Sequence, residues 1–213
     1  MSITELFQDQ ALVSKIQRKL PQFFELVRVG KTRGGGMAMD VGSDREPIIK
    51  SLLIHKFGRD NVITDIPAIE KETDVILCGK PISIKTSTNS FKTKLIWTTD
   101  RIQMQRFKES YLPKCDMIFV HIVTKGKEKG GLHYLPQELL IQTLNTVGRD
   151  EYIDIPPEDT NPRGIELRAR VLKKMVSSPS VLSITINWNI PKSESDEPTI
   201  PPIEQWLKQW QED

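Results

Sequence analysis

TDVILCGKPISIKTS, residues 73–87, contains two short runs of β-branched and apolar side chains separated by the pair Gly79-Lys80. Such runs on either side of a tight turn predict a β-hairpin. Asp74 stands at the start of the first strand, and Lys85 stands near the end of the second. Antiparallel pairing therefore brings a carboxylate and an amine to the same end of the hairpin.

Helix and strand patterns alternate on both sides of this hairpin. Apolar residues at three-to-four spacing predict helices over 3–28, interrupted at Pro21, and Glu46 with Pro47 is expected at the N-terminus of the next helix. The remaining expected elements are a strand at 92–98, a helix capped by Asp100, a strand at 115–124, helices at 136–147 and 162–175, a strand at 180–188 and a short helix at 202–213. This alternation predicts an α/β fold in which one mixed central β-sheet is flanked by helices.

The composition suits a single globular domain without disulfides or structural metals. The 213 residues are 38% apolar and 27% charged, and their formal net charge of +2 is too small for a polybasic nucleic-acid binder. Cys78 and Cys115 lie in apolar runs without zinc-ligand spacing, which predicts buried, reduced thiols in a cytoplasmic protein. We expect no membrane partner, because the sequence has neither a leader pattern nor a run of about 18–20 apolar residues.

The proposed end of the hairpin carries the groups that phosphodiester hydrolysis requires. Carboxylates can hold Mg²⁺ against a phosphate, where the ion activates water and offsets charge on the leaving oxygen. A lysine beside them can orient that water or stabilise the transition state. The sequence therefore predicts a site that cleaves phosphodiesters.

The order Asp74, strand, turn, Ser83-Ile84-Lys85 resembles the D…(D/E)xK hairpin of the PD-(D/E)xK superfamily of nucleases. Two positions depart from that pattern. Thr73 stands where the superfamily has proline, and Ser83 stands where it has an acid that binds the metal. Serine cannot replace a carboxylate there, and in this superfamily an acid on the preceding helix commonly offsets the loss.

Glu46 occupies that position on the preceding helix. Glu46, Asp74 and Lys85 together resemble the catalytic set of the ThaI-type restriction endonucleases, type II enzymes that cut CGCG, and the resemblance extends over the whole chain. It implies a restriction-endonuclease-like core, Mg²⁺ held by Glu46, Asp74 and the main-chain carbonyl of Ile84, and double-strand cuts that leave 5'-phosphate and 3'-hydroxyl ends. The domain then divides into N-terminal helices at 1–28, a Gly-rich DNA-contacting loop at 29–45, a catalytic core at 46–190 and a linker with a C-terminal helix at 191–213.

Each catalytic candidate also has an ordinary structural interpretation. An aspartate at a strand start is usually a turn cap, a lysine at a strand end is usually solvated, and a glutamate at a helix start usually complements the helix dipole. Their joint placement favours the functional interpretation. The other nearby acids rank lower because they lack a lysine one strand later or, in one case, have lysines only in a turn; they are Asp65, Glu70, Glu72 and Asp116.

The segment 29–45 combines cations, glycines and two methionines without periodicity, which is typical of a loop. Lys31 and Arg33 are expected on DNA phosphates. Met39, or else Met37, is predicted to wedge between base pairs, and CG steps are among the easier steps to unstack. The ordinary alternative is that both methionines fill the core beneath the loop.

A polar run follows Lys85 at the mouth of the proposed site. Hydroxyl, amide and amine groups there suit phosphate oxygens and base edges, and the alternative is an exposed strand edge. The candidate DNA-binding residues in this run are Ser87, Asn89, Lys92 and Lys94.

A palindromic target in double-stranded DNA predicts a twofold homodimer, in which each protomer cuts one strand. The N-terminal helices and the helix with Trp206 and Trp210 are candidate interfaces, although such a helix more commonly covers its own core. Two other functions stay open. One is a repair or junction-resolving nuclease of the same fold, and the other is a non-catalytic DNA-binding protein, which Ser83 favours.

Overall fold

A computed structural model describes residues 1–33, 41–67, 72–98, 100–125, 129–157, 164–189 and 201–212, without the side chains of 29–33 and 41–43. Within these ranges, no helix is long and apolar enough to cross a membrane. The fold is mixed α/β, with a six-stranded central sheet flanked by helices. The predicted fold class is confirmed.

The central sheet contains the predicted hairpin. Its strands, in spatial order, are β1 (Val62–Ile63), β2 (Val75–Leu77), β3 (Lys80–Thr88), β5 (Asp116–Ile122), β6 (Gly130–Leu135) and β9 (Leu182–Ile186). Strands β3 and β5 are parallel, and every other neighbouring pair in this sheet is antiparallel. The hairpin of β2 and β3 therefore joins an antiparallel edge to the parallel centre.

A second sheet corrects the expectation that one sheet carries every strand. It consists of β4 (Thr93–Ile96), β8 (Ile165–Leu167) and β7 (Ile153–Asp154), all antiparallel. The strand expected at 92–98 is confirmed as β4. The helix expected at 162–175 is wrong in its first half, because β8 pairs with β4 there and the helix begins only at Ala169.

Four helices cover one face of the central sheet. They are α1 (Thr4–Gln8), α2 (Gln10–Arg33), α3 (Val41–Phe57) and α8 (Ile203–Gln211). Helix α2 runs through Pro21, so the predicted interruption is wrong. Burial of Leu20, Phe23 and Phe24 offsets the backbone hydrogen bond that a proline removes.

Helix α3 begins earlier than the sequence indicates. Its first turn holds Asp44, whose negative charge suits a helix N-terminus. Glu46 therefore lies in the second turn, not at the start, and the predicted loop at 29–45 is too wide, because its first five and last five residues are helical.

The opposite face packs against α4 (Arg101–Ser110), α5 (Gln137–Val147), α6 (Arg149–Tyr152), α7 (Ala169–Val176) and the second sheet. Asp100 caps α4 as predicted, because its carboxylate accepts hydrogen bonds from the backbone N–H groups of Ile102 and Gln103. The strand at 115–124 and the helix at 136–147 are likewise confirmed as β5 and α5.

Helix α8 is clamped onto the first face. Trp206 and Trp210 are 0% exposed, and the Trp210 indole N–H donates to Ser51 Oγ at 3.0 Å. Lys19 Nζ donates to the carbonyl oxygens of Gln209 and Glu212, which satisfies two acceptors at the helix C-terminus. The two tryptophans therefore cover the protein's own core and are unavailable as a dimer interface.

Candidate active site

The hairpin brings Asp74 and Lys85 together, as the sequence predicted. Val75 pairs with Ile82, so Asp74 lies one residue beyond the end of the ladder. Lys85 Nζ is 3.5 Å from Asp74 Oδ2, and both side chains are 20% exposed. A partly exposed carboxylate and amine thus meet where the two strands separate.

Ser83 orients Asp74. Its hydroxyl donates to Asp74 Oδ2 at 3.1 Å, and the backbone N–H of Ile84 donates to the same oxygen at 2.6 Å. The second bond is short, as expected for an ionised acceptor. The position where an acid was expected therefore holds the aspartate in place instead.

The carbonyl of Ile84 points to the edge of β3 that faces Asp74. The N–H and C=O groups of one strand residue lie on the same edge, and the N–H of Ile84 already donates to Asp74. The β2 ladder ends at Val75, so this carbonyl lies beyond the last paired residue. A main-chain oxygen is thus available beside the Asp74 carboxylate.

Glu46 pairs with Lys50 one helical turn later, where Lys50 Nζ is 2.6 Å from Glu46 Oε1. Lys50 Nζ also donates to the carbonyl of Thr64 at 3.3 Å. Continuing the pairing of Ile63 with Ile76 by one residue puts Thr64 opposite the residue after Asp74. Glu46 and Asp74 therefore approach the same end of the sheet, although no contact between described residues joins Glu46 to Asp74 or Lys85.

Asp74, Glu46 and the Ile84 carbonyl offer oxygen atoms, the type of ligand that a divalent cation such as Mg²⁺ takes. Among the described residues, side-chain contacts to Asp74 all reach Oδ2, and the contact to Glu46 reaches Oε1. One oxygen of each carboxylate remains for a cation, together with the Ile84 carbonyl, and such ligands are those Mg²⁺ prefers. No cluster of three or more His, Cys, Asp or Glu side chains with metal-binding geometry occurs in the described part of the chain.

Glu72 is a half-buried acid that the sequence analysis ranked low. Its carboxylate accepts the backbone N–H of Lys114 at 3.1 Å and the hydroxyl of Tyr111. Burial raises the pKa of Glu72, and the Lys114 N–H partly offsets that effect. With Ser83 and Lys85 it lines a cavity of about 20 Å³, which is room for about one water molecule. Its partners are some forty residues away, so no local pattern signals this role.

A row of side chains crosses the sheet from Lys85. Lys85 is in register with Phe119, Phe119 with His133, and His133 with Ser183. His133 Nδ1 lies 2.9 Å from Ser183 Oγ. Burial, and to a lesser extent His121, lowers the pKa of His133 to about 4. This histidine is therefore a neutral part of the interior.

The remaining nearby acids divide into structural and undescribed ones. Asp116 accepts the Tyr134 hydroxyl at 2.6 Å and the backbone N–H of Gln137 at 2.8 Å, so it anchors the start of α5. Glu70 lies outside the described residues. The low rank of Asp116 is consistent with this structural use.

The polar run after Lys85 is partly used inside the chain. The buried Ser87 hydroxyl lies 2.9 Å from Ser90 Oγ. Asn89 has a φ of 54°, donates to the hydroxyl of Thr124 and accepts its backbone N–H. Both side chains thus shape the end of β3, while their contact with DNA stays a prediction.

Lys92 and Lys94 extend from the run toward Glu166, at 3.8 Å and 3.9 Å. Lys92 is well exposed, and Lys94 is half-buried. Of the candidates in the Gly-rich segment, Met37 and Met39 lie outside the described residues. Lys31 and Arg33 belong to the last turns of α2, but their side chains are not described.

Comparisons with known proteins agree on one family. A family model described as Restriction endonuclease ThaI matches residues 6–212. A solved structure described as a restriction endonuclease in complex with substrate DNA is 39% identical, covers 98% of each chain and has a TM-score of 0.84. No curated protein matches the chain significantly.

Proposed function

Because the chain belongs to the ThaI family of restriction endonucleases, we propose that it is a Mg²⁺-dependent type II enzyme that cuts both strands of a short palindromic DNA site. Membership in this family makes the chain a DNA-cleaving endonuclease. The observation that carries the finer proposal is the Asp74 carboxylate at the open end of the hairpin, 3.5 Å from Lys85 Nζ. The family resemblance supports CGCG as the site and 5'-phosphate and 3'-hydroxyl ends as the products.

The proposed metal ligands are Glu46, Asp74 and the carbonyl of Ile84. A Mg²⁺ ion held there would supply an activated water and offset charge on the leaving oxygen. Support comes from the second oxygen of each carboxylate, which no contact within the described part of the chain reaches, and from the direction of the Ile84 carbonyl. Ser83 contributes by holding Asp74 in one orientation.

Lys85 and Lys50 have different proposed roles. Lys85 lies beside Asp74 with its amine partly exposed, so it can orient the attacking water or stabilise charge on the phosphate. Lys50 is held by the Thr64 carbonyl and fixes one oxygen of Glu46, so it positions a ligand without touching substrate. The i,i+4 spacing of Glu46 and Lys50 is a sequence signal that could have found this pair.

The proposed substrate is double-stranded DNA, which is also what the similar solved structure contains. Two copies of one active site must act on a palindrome, so the proposed enzyme is a twofold homodimer. Lys31, Arg33, Met37, Met39, Ser87, Asn89, Lys92 and Lys94 remain the proposed DNA contacts. Cys78 and Cys115 are free thiols, which supports a cytoplasmic location; Cys115 is buried as predicted, but the predicted burial of Cys78 is wrong, because it lies exposed at the hairpin turn.

Sequencing of DNA ends tests the proposal most directly. Supercoiled plasmid, linear genomic DNA and a four-way junction are incubated with the protein in Mg²⁺ or in EDTA. We expect double-strand cuts at CGCG only in Mg²⁺, with ends that a ligase rejoins without repair. Preferential cutting of the junction would instead indicate a structure-specific nuclease, and binding without cutting under any condition would indicate a non-catalytic DNA-binding protein.

A further inference from the structure

We propose that Trp97 contacts the DNA beside the active site, with Lys94 holding its indole ring in position. This inference rests on the proposed DNA substrate and adds a contact residue outside the motif and the polar run. The side chain lies one residue beyond strand β4 and is 60% exposed. An exposed indole presents a large, rigid aromatic surface with a polar N–H, the type of side chain that is enriched at binding interfaces.

Trp97 differs from the other tryptophans of the chain. The sequence has four tryptophans, and the other three, Trp188, Trp206 and Trp210, are 7%, 0% and 0% exposed. Each of those three packs against a phenylalanine of α2. Trp97 is therefore the tryptophan left for a partner outside the chain.

The indole is held by a cation. Lys94 Nζ lies 4.3 Å from the centroid of the Trp97 ring, within the range of a cation–π contact. Lys94 is itself 3.9 Å from the Glu166 carboxylate on the neighbouring strand β8. This chain of contacts fixes the ring at the surface, so less conformational entropy is lost when a ligand packs against it.

Strand β4 connects Trp97 to the active site. Leu95 lines the same small cavity as Lys85, Ser83 and Glu72, so β4 passes directly beside the catalytic lysine. Trp97 follows Leu95 by two residues. The indole is thus exposed two residues along the chain from a side chain that lines the cavity beside Lys85.

The local charge favours DNA over a second copy of the chain as the occupant. Lys94 lies over the ring, Lys92 lies near the same Glu166 carboxylate, and that one carboxylate offsets only part of the charge of the two lysines. An aromatic surface beside amines suits a deoxyribose or base edge flanked by phosphates. A second copy would bring the same two lysines to the interface, and that repulsion opposes self-association through this patch.

Acrylamide quenching of tryptophan fluorescence tests the proposal without cleavage. Because the other three indoles are buried, Trp97 supplies most of the quenchable emission of the full-length protein. A 20-base-pair duplex containing CGCG, added in Ca²⁺, should reduce that quenching several-fold. Trp97→Phe should lose the quenchable fraction, and Trp97→Ala should weaken binding of the labelled duplex by about tenfold in fluorescence anisotropy. Trp97→Phe should restore most of the affinity because it keeps an aromatic ring.

The controls separate this inference from the proposed function. Ile102→Ala removes another exposed apolar side chain and should leave affinity unchanged. Tight duplex binding with undiminished quenching of Trp97, or with unchanged affinity in Trp97→Ala, would overturn the inference while the proposed function stands. If the quenching of Trp97 fell with rising protein concentration in the absence of DNA, the patch would mediate self-association instead. Failure of the wild-type protein to bind any duplex would overturn both.

Discussion

One face of the central sheet packs a largely apolar core, while the other carries polar and titratable side chains in its middle. On the first face, Ile84 and Val120 pack with Trp206 and the helices around it. On the second face, Lys85 and His133 share a row across the same strands. Alternation along β3 produces this difference, because successive side chains point to opposite faces.

The comparison shows how one strand serves both stability and chemistry. Ile82 and Ile84 anchor β3 in the apolar core. The backbone at Ser83 and Lys85 is thereby already ordered, so holding these residues on the other face costs no further backbone entropy. Helix α8 covers the first face, and Lys19 donates hydrogen bonds to two carbonyl oxygens at the C-terminal end of this helix. Changes on the first face should therefore alter stability, and changes at the hairpin end should alter cleavage.

The largest effect is expected at the hairpin end. Asp74→Asn should lower the cleavage rate by at least about a thousandfold, because a neutral amide binds a divalent cation much more weakly than a carboxylate and does not neutralise Lys85. Lys85→Met should act in the same direction. The measurement is the initial rate of plasmid cutting, with circular dichroism to show that the fold persists. Lys80→Met, at the exposed turn of the same hairpin, is the matched control and should cut normally.

A substitution on the face that α8 covers should reduce stability and not cleavage. Trp210→Ala should lower the free energy of unfolding by about 3–5 kcal/mol, because it leaves a cavity and removes the hydrogen bond to Ser51. Urea unfolding measures the loss. Trp97→Ala replaces an exposed indole and should change stability by no more than about 0.5 kcal/mol. Equal losses in the two variants would contradict the division of the faces.

Mildly acidic pH should lower the free energy of unfolding through His133 on the second face. The folded-state pKa of His133 is about 4, below the ordinary 6.5. Between those values only the unfolded chain takes up the proton, so the free energy of unfolding should fall by up to about 3 kcal/mol as pH drops from 7 to 4. Unfolding curves at several pH values check this. His133→Gln should flatten the profile.

His55 provides the comparison for that experiment. Its pKa is also lowered, by burial first and then by Lys15 and Lys19, but it is less buried than His133. His55→Gln should therefore remove a smaller part of the acid sensitivity. An unchanged profile in His133→Gln would show that another group controls it.

A smaller effect is expected at Lys50 on α3, near the end of the hairpin where β2 and β3 separate. Lys50→Met should weaken divalent-cation binding by about 10- to 100-fold, because Glu46 loses the amine that orients it. Calorimetric titration with Ca²⁺ measures this without turnover. The control is Lys56→Met, on the same helix as Lys50. It breaks an ion pair with Asp9 and should leave cation binding unchanged. Tighter binding in Lys50→Met would mean that Lys50 competes with the cation.

The hairpin could be predicted from sequence because its information is local. β-Branched runs, a glycine turn and the alternation of side chains are enough to place Asp74 and Lys85 together. The catalytic role of this pair and of Glu46 still depends on the cleavage measurements above. Contacts of Glu72 with Tyr111 and Lys114 could not be predicted, because they depend on how distant segments pack.

Strand β6 escaped prediction because it begins with Gly130 and Gly131, which resemble a turn. A side chain at Gly130 would come within 2.4 Å of the Trp188 indole nitrogen and 2.0 Å of the His121 carbonyl oxygen. Glycine is required there by the close approach of β6 to its neighbours. The long-range cause leaves no mark on the local sequence other than the glycine itself.

The hydrogen bond between Trp210 and Ser51 also bears on when the chain can complete its fold during synthesis. The two residues are 159 positions apart, so the helix that bears Glu46 lacks its packing partner until the ribosome has made α8. Contacts across so long a stretch are slow to form, because a large loop must close first. Helix α3 can therefore pack against α8 only after translation has passed residue 211.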